Sequence, residues 1–254
     1  MKKIFYLLGA VIVLLGTPSL KAQNTFNNDT RIMIIGASDV GSTNLSYLAG
    51  VKGEVDSISS LFPRENVLLL EGPQARIENL KQSFDFHPTI LHIAGNGFPY
   101  PIGKDSSIPV KDFVIPLYAQ SDRPMQTTDS LSTIERVTDK STNLFISDFK
   151  QFFPEGIDLV VLSTSNSYND AVIGFLQDAG VKSCLLTTSG VNDMATQLLM
   201  TEFYKNLIQG QDKFQALSNA QKTLREFSGM IGDRYLEFSD PRYWAAFILL
   251  DALN

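Results

Sequence analysis

The chain is nearly devoid of the residues that build metal centres and covalent cross-links. Its 254 residues include one cysteine, Cys184, so an intramolecular disulfide is excluded. There are two histidines, His87 and His92. A zinc site would then need mostly carboxylates, and no metal site is expected. Cys184 lies in the apolar run Val181 to Leu186 and reads as a small buried hydrophobe, not a reactive thiol. Basic residues are also in deficit, with 21 Lys and Arg against 27 Asp and Glu. That balance argues against a nucleic-acid or anionic-membrane partner, either of which would call for a basic patch. Nucleotide-binding loops are missing as well. Gly36-Ala37-Ser38-Asp39-Val40-Gly41 lacks the middle glycine of a dinucleotide loop, and no Gly-Lys-Ser/Thr follows it. No cofactor is expected.

What is present begins with the pattern of an export signal. Lys2 and Lys3 precede an apolar stretch from Ile4 to Leu15, broken only by Gly9. Gly16-Thr17-Pro18-Ser19 ends it, and Leu20-Lys21-Ala22-Gln23 offers a small residue for cleavage. The apolar core is shorter than the about 20 residues of a spanning helix, so an uncleaved anchor is the weaker alternative. Residues 1–22 are therefore read as a signal peptide. The mature protein is expected in the periplasm, at the cell surface or outside, with no stable membrane insertion. Loss of Lys2, Lys3 and Lys21 moves the net charge from −6 to about −9. Residues 23–30 are polar and read as a disordered leader, and 31–254 as one domain.

Within that domain short apolar runs alternate with segments of helical spacing. Strands are expected at Arg31–Ile35, Val67–Leu70, Thr89–Ala94, Asp158–Leu162 and Val181–Leu186, with a last one over Tyr243–Leu250. Phe113–Tyr118 is a further candidate, which Pro116 restricts to an edge or a hairpin arm. Helices are expected where Val51, Val55, Ile58 and Leu61 recur, over Gln74–Gln82, over Leu144–Phe153 and over Asn169–Asp178. Two more follow, one capped by Asn192 or Asp193 and one by Asp212. Residues 119–142 show no period and read as a mobile insertion. Strands without polar alternation, separated by helices, imply a mostly parallel sheet covered on both faces. Ligands bind such sheets beyond the carboxyl ends of the strands.

Two strand ends are chemically suggestive. His92-Ile93-Ala94-Gly95-Asn96-Gly97 closes one strand on two glycines around an asparagine, which suits exposed backbone N–H groups. Ser163-Thr164-Ser165-Asn166-Ser167-Tyr168 follows another, with five hydroxyls. It contains no Gly-x-Ser-x-Gly elbow, and Ser167 or Asn169 can serve instead as a helix cap. His87 and His92 read as structural residues.

These pieces resemble, in order, the CHAT family of caspase-like cysteine peptidases. The likeness is carried by Leu48-Ala49-Gly50 with Glu54-Val55, Leu61-Phe62-Pro63 and Val67-Leu68-Leu69-Leu70-Glu71-Gly72. It continues through Leu159-Val160-Val161-Leu162-Ser163-Thr164-Ser165, Ala179-Gly180-Val181, Met200-Thr201-Glu202-Phe203-Tyr204 and Tyr243-Trp244-Ala245-Ala246-Phe247. The resemblance implies a caspase-like three-layer α/β sandwich, its mostly parallel sheet having about six strands with helices on both faces. It also places the family's catalytic His at Asn96 and its nucleophilic Cys at Ser165. The backbone N–H groups of Gly97 and Ser165 would then form the oxyanion site, with Gly95, Thr164, Asn166 and Ser189 lining the cleft.

Both substitutions remove chemistry. A serine hydroxyl needs a general base, and asparagine has no basic site. Asp170 is a conceivable base for Ser165, although in a helix's first turn a carboxylate also stabilises the helix N-terminus. The expectation is an exported pseudopeptidase that binds a peptide or protein. A hydrolase using Ser165 with another base and a structural part of a secreted assembly remain the alternatives.

Overall fold

The four inner strands of the central sheet, Ile32–Ala37, Ile90–Gly95, Leu159–Ser163 and Ser183–Thr187, are buried on both faces, and the sequence pattern shows why. The computed structural model describes residues 26–27, 29–40, 47–101, 109–119, 139–251 and 253. Strands β1 (Ile32–Ala37), β2 (Val67–Glu71) and β3 (Ile90–Gly95) lie on the sheet's first half, with helix α1 (Ala49–Ser59) between β1 and β2. A short helix α2 (Gln82–Phe86) precedes β3. Strands β4 (Phe98–Tyr100), β5 (Asp112–Pro116) and β6 (Asn143–Phe145) form a separate antiparallel sheet of three strands. After the one-turn helix α3 (Phe149–Phe152) come β7 (Leu159–Ser163), α4 (Asp170–Asp178), β8 (Ser183–Thr187), α5 (Asp193–Ile208) and α6 (Lys213–Glu226). A hairpin of β9 (Ser228–Ile231) and β10 (Arg234–Glu237) leads to β11 (Phe247–Leu250).

The main sheet has six strands in the order β11-β8-β7-β3-β1-β2, all parallel except β11. Alternate residues of each strand feed two cores. Ile32, Ile34, Ile90, Leu159, Val161 and Leu185 pack under α1, α5 and α6, against Val55, Ile58, Leu199, Phe203 and Leu217. Met33, Ile35, Leu91, Ile93, Val160 and Leu162 face the other way, towards Phe149, Val172, Leu176 and the small sheet's Phe113 and Ile115. The result is the expected α/β/α sandwich. Side chains alternate sides along a strand, so a run of apolar residues supplies both cores at once.

The caps follow from side-chain chemistry. Asn169 accepts from the Val172 N–H at 3.0 Å, Asn192 from Ala195 at 3.1 Å and Asp212 from Gln215 at 2.8 Å. Each satisfies a helix donor that has no partner within its own helix. Glycine matters where α1 meets α5. A Cβ on Gly50 would stand 2.4 Å from the Asp193 Cβ, so only a bare backbone lets the two helices approach this closely.

Several local expectations need correcting. Gln74–Gln82 is not one helix: 3-10 turns at Gly72–Gln74 and Ile77–Lys81 precede α2, with extended backbone at Arg76 between them. The segment expected as a helix over Leu144–Phe153 begins as strand β6 and is helical from Ile146, first as a 3-10 turn and then as α-helix from Phe149. β5 is central in its small sheet and not an edge strand. Pro116 is tolerated because it lies at the strand end, past the β4 pairing, opposite Asn143 alone. The last strand is confined to Phe247–Leu250, after a 3-10 turn at Pro241–Tyr243. In the leader read over 23–30, the Phe26 ring packs on Phe62 with centroids 6.0 Å apart. The signal peptide and most of the insertion expected over 119–142 lie outside the described residues.

Cys184 is fully buried, and burial pushes its thiol up to about 12. A thiolate-directed reagent at neutral pH should leave the native protein unmodified and titrate one thiol in denaturant. Rapid reaction of the folded protein would contradict the packing of β8.

Candidate functional site

The parallel strands deliver their carboxyl ends to one edge, and a pocket of about 380 Å³ opens there. The turn after β3 contributes Gly95, Asn96 and Gly97 to its lining, and the end of β7 contributes Ser163, Ser165 and Asn166. On the helical side it meets Leu48, Val51 and Glu54, then Val191, Asp193 and Thr196 at the start of α5. Among the sequence candidates, five therefore converge: Gly95, Asn96, Gly97, Ser165 and Asn166. Thr164 and Ser189 do not. Thr164 is buried behind the wall, and Ser189 is an exposed residue that holds the loop in place.

Local chemistry shapes both walls. A Cβ on Gly97 would lie 2.5 Å from the Phe113 ring and 2.9 Å from the Thr164 Cβ. The β3 turn is thus wedged between β5 and the β7 loop, with no room for a side chain. Asn166 adopts a left-handed conformation, φ 59°, which asparagine accepts more readily than most residues. Its N–H donates to the Ser189 carbonyl at 3.2 Å. Ser167 is completely buried and does not cap α4. Its hydroxyl accepts the Thr187 N–H at 2.9 Å, while the Thr187 hydroxyl donates to the Thr164 carbonyl. These bonds tie the β7 loop to β8 and hold Ser165 at the rim.

Ser165 is not activated. Its hydroxyl accepts the Val191 N–H at 3.2 Å. Asp170 is exposed in the first turn of α4 and does not line the pocket. Neither imidazole lines the pocket. His87 caps the end of α2 in a left-handed conformation, before β3 begins. A strand of that length puts it about 20 Å from the carboxyl edge. Among the described residues the N–H groups of Gly97 and Ser165 have no hydrogen-bond acceptor.

Glu54, Asp193 and Thr196, which sequence reasoning missed as site residues, line the pocket floor, and His92, read as structural, sits behind Glu54. His92 points into the layer beneath α1 and α5, on the same side of β3 as Ile90 and Ala94. Its Nε2 stands 3.0 Å from Glu54 Oε1, and its Nδ1 lies 3.1 Å from the Tyr204 hydroxyl. The side chains of His92 and Glu54 are 0% and 2% exposed. The Glu54 contact has ion-pair distance without hydrogen-bond alignment. A carboxylate only accepts, so the nitrogen facing it carries the proton, and Nδ1 takes the proton of the tyrosine O–H. Burial, and then the charge of Glu54, push the Tyr204 phenol well above its ordinary value, which keeps that donor in place. Burial and Glu54 also raise the Asp193 carboxyl. The overlooked signal was the position of Glu54, which falls inside the apolar stripe of Val51, Val55 and Ile58 where a surface helix has no acid.

Among the described residues no cluster of His, Cys, Asp or Glu could hold a metal, and no helix is long and apolar enough to cross a membrane. A family model described as CHAT domain matches residues 7–252, beginning within the stretch read as an export signal. No curated protein matches the chain. Among solved structures, the crystal structure of caspase-1 from Spodoptera frugiperda matches at 11% identity with a TM-score of 0.43. The match covers 88% of this chain and 86% of that one.

Tyr204→Phe should lower stability by about 1–3 kcal/mol in denaturant titration, because it strands a buried imidazole nitrogen. An unchanged midpoint would mean that the Tyr204–His92 bond is not formed.

Proposed function

This chain belongs to the CHAT domain family, and from that premise we propose that it is an exported pseudopeptidase that binds peptide segments without cleaving them. The observation that carries the reading is the disposition of the only two imidazoles in the sequence. One is locked between Glu54 and Tyr204 inside the sandwich, the other lies before β3, and Ser165 accepts a backbone hydrogen bond where a nucleophile would need a base. Serine hydrolysis requires that base to take the hydroxyl proton in the transition state.

Binding does not require it. The pocket keeps two unused backbone donors, Gly97 and Ser165, at the positions where the family resemblance puts the oxyanion site. A peptide carbonyl is a suitable acceptor for them. The volume of about 380 Å³ falls at the small end of ligand sites, which run from about 300 to 1,000 Å³. It suits one side chain and its adjoining peptide group. Export of the mature chain, starting near Gln23, supports a partner outside the cytoplasm.

Fluorogenic peptide libraries incubated with the purified protein should show no turnover, and Ser165→Ala should behave identically. Turnover abolished by Ser165→Ala would overturn the proposal. The double variant Asn96→His with Ser165→Cys should gain measurable hydrolysis, since it restores a base and a thiol beside the same backbone donors. A folded double variant without activity would show that the geometry for attack has been lost as well.

A further inference from the structure

The pocket floor has an unusual composition. Glu54 and Asp193 bring two carboxylates to it, and no described lining residue is basic. Two hydroxyls there are buried and without a hydrogen-bond partner, Ser163 Oγ and Thr196 Oγ1, beside the Glu54 carboxylate, whose Oε1 faces His92. The residues carrying these hydroxyls are 4% and 3% exposed. Buried polar groups are almost always satisfied, and each unsatisfied one in a folded protein calls for a partner. Here the two orphan hydroxyls line one space with the carboxylates of Glu54 and Asp193.

We propose that this floor is a binding site for an alkyl cation, the ammonium or guanidinium of a lysine or arginine side chain on the bound peptide. This rests on the reading of the pocket as a peptide site and supplies its specificity. An ammonium carries three donors and no acceptor, and a guanidinium carries five. The orphan atoms are two hydroxyl oxygens, which can accept, and the two carboxylates beside them supply the negative charge. Charge-assisted bonds of this kind are roughly twice as strong as neutral ones. An anion would meet two carboxylates with no cation beside them. A neutral side chain would leave those carboxylates facing each other uncompensated.

His92 does not cancel this preference. It touches Glu54 from the sheet side without hydrogen-bond alignment, and Asp193 sits on the opposite helix. The charge of Glu54 reaches Asp193, whose carboxyl is raised first by burial and then by that neighbour. A cation between the two removes the repulsion. Gly50 sets the arrangement, because its lack of a side chain lets Asp193 approach α1.

Two measurements on the purified protein test this. The first is fluorescence polarisation with labelled acetyl-Ala-Ala-X-Ala-Ala peptides, X being Lys, Arg, Gln, Met or Glu. The Lys or Arg peptide should bind at least about tenfold more tightly than the Gln and Met peptides, the increment expected of a charge-assisted bond. Asp193→Asn should erase most of that advantage. It is the preferred variant because Glu54→Gln alters the buried contact with His92, and a thermal melt confirms that each variant is folded. The second is an NMR titration with n-butylammonium alone, which should shift resonances of Glu54, Asp193 and Thr196 in the wild type and not in Asp193→Asn. Peptides that bind equally whatever X is would overturn this inference and leave the peptide-binding reading standing. Binding of n-butylammonium with no peptide bound would do the reverse. No response to either ligand would overturn both, leaving the floor a hydrated polar cavity.

Discussion

The contact between Glu54 and His92 is the constraint on which the rest of the site depends. A carboxylate and an imidazole meet at 3.0 Å in a layer that is otherwise apolar, between the middle of the sheet and the helices above it. Removing such groups from water costs several kcal/mol each unless they find partners. His92 has two, because Tyr204 of α5 takes its other nitrogen. The triad thereby pins α1 and α5 to the central strand. It also determines what the pocket can do. It commits an imidazole to the interior and leaves a carboxylate at the floor of a cleft whose rim, at Asn96 and Ser165, has no base.

The fold was readable in the sequence wherever burial on both faces leaves an uninterrupted apolar run. Ile32–Ile35, Leu159–Leu162 and Cys184–Leu186 all became central strands, since no surface helix or loop would keep such runs. Expectations failed where elements are short and local signals conflict. β6 occupies three residues directly before a helical turn, and propensity cannot separate the two. The hairpin of β9 and β10 is marked by Gly232-Asp233, a recognised turn pair, but its four-residue arms are largely exposed and lack an apolar run.

Legibility of the site divided along similar lines. Gly95, Asn96, Gly97, Ser165 and Asn166 could be read because they follow directly from strand ends in a parallel sheet. Of the two caps considered, Asn169 takes the role and Ser167 does not. The role of Ser167, bonding across to Thr187, joins two strands 20 residues apart and has no sequence period to reveal it. Glu54, Asp193 and Thr196 come from two helices that meet only in three dimensions. One-dimensional spacing could show that Glu54 lies on the buried face of α1, but not that α5 brings Asp193 to the same cavity.

In the proposed reading, backbone donors and a shaped, acidic pocket persist in a CHAT-domain fold that no longer carries the reacting groups. On that proposal recognition and catalysis separate because they rest on different atoms: recognition on N–H groups and the pocket floor, catalysis on a thiol and an imidazole. The most direct test of that separation is the intact mass of the purified protein after exposure to a serine-directed acylating probe. The account predicts an unmodified mass, because the Ser165 hydroxyl has no base to ionise it. A single adduct that disappears in Ser165→Ala would contradict it.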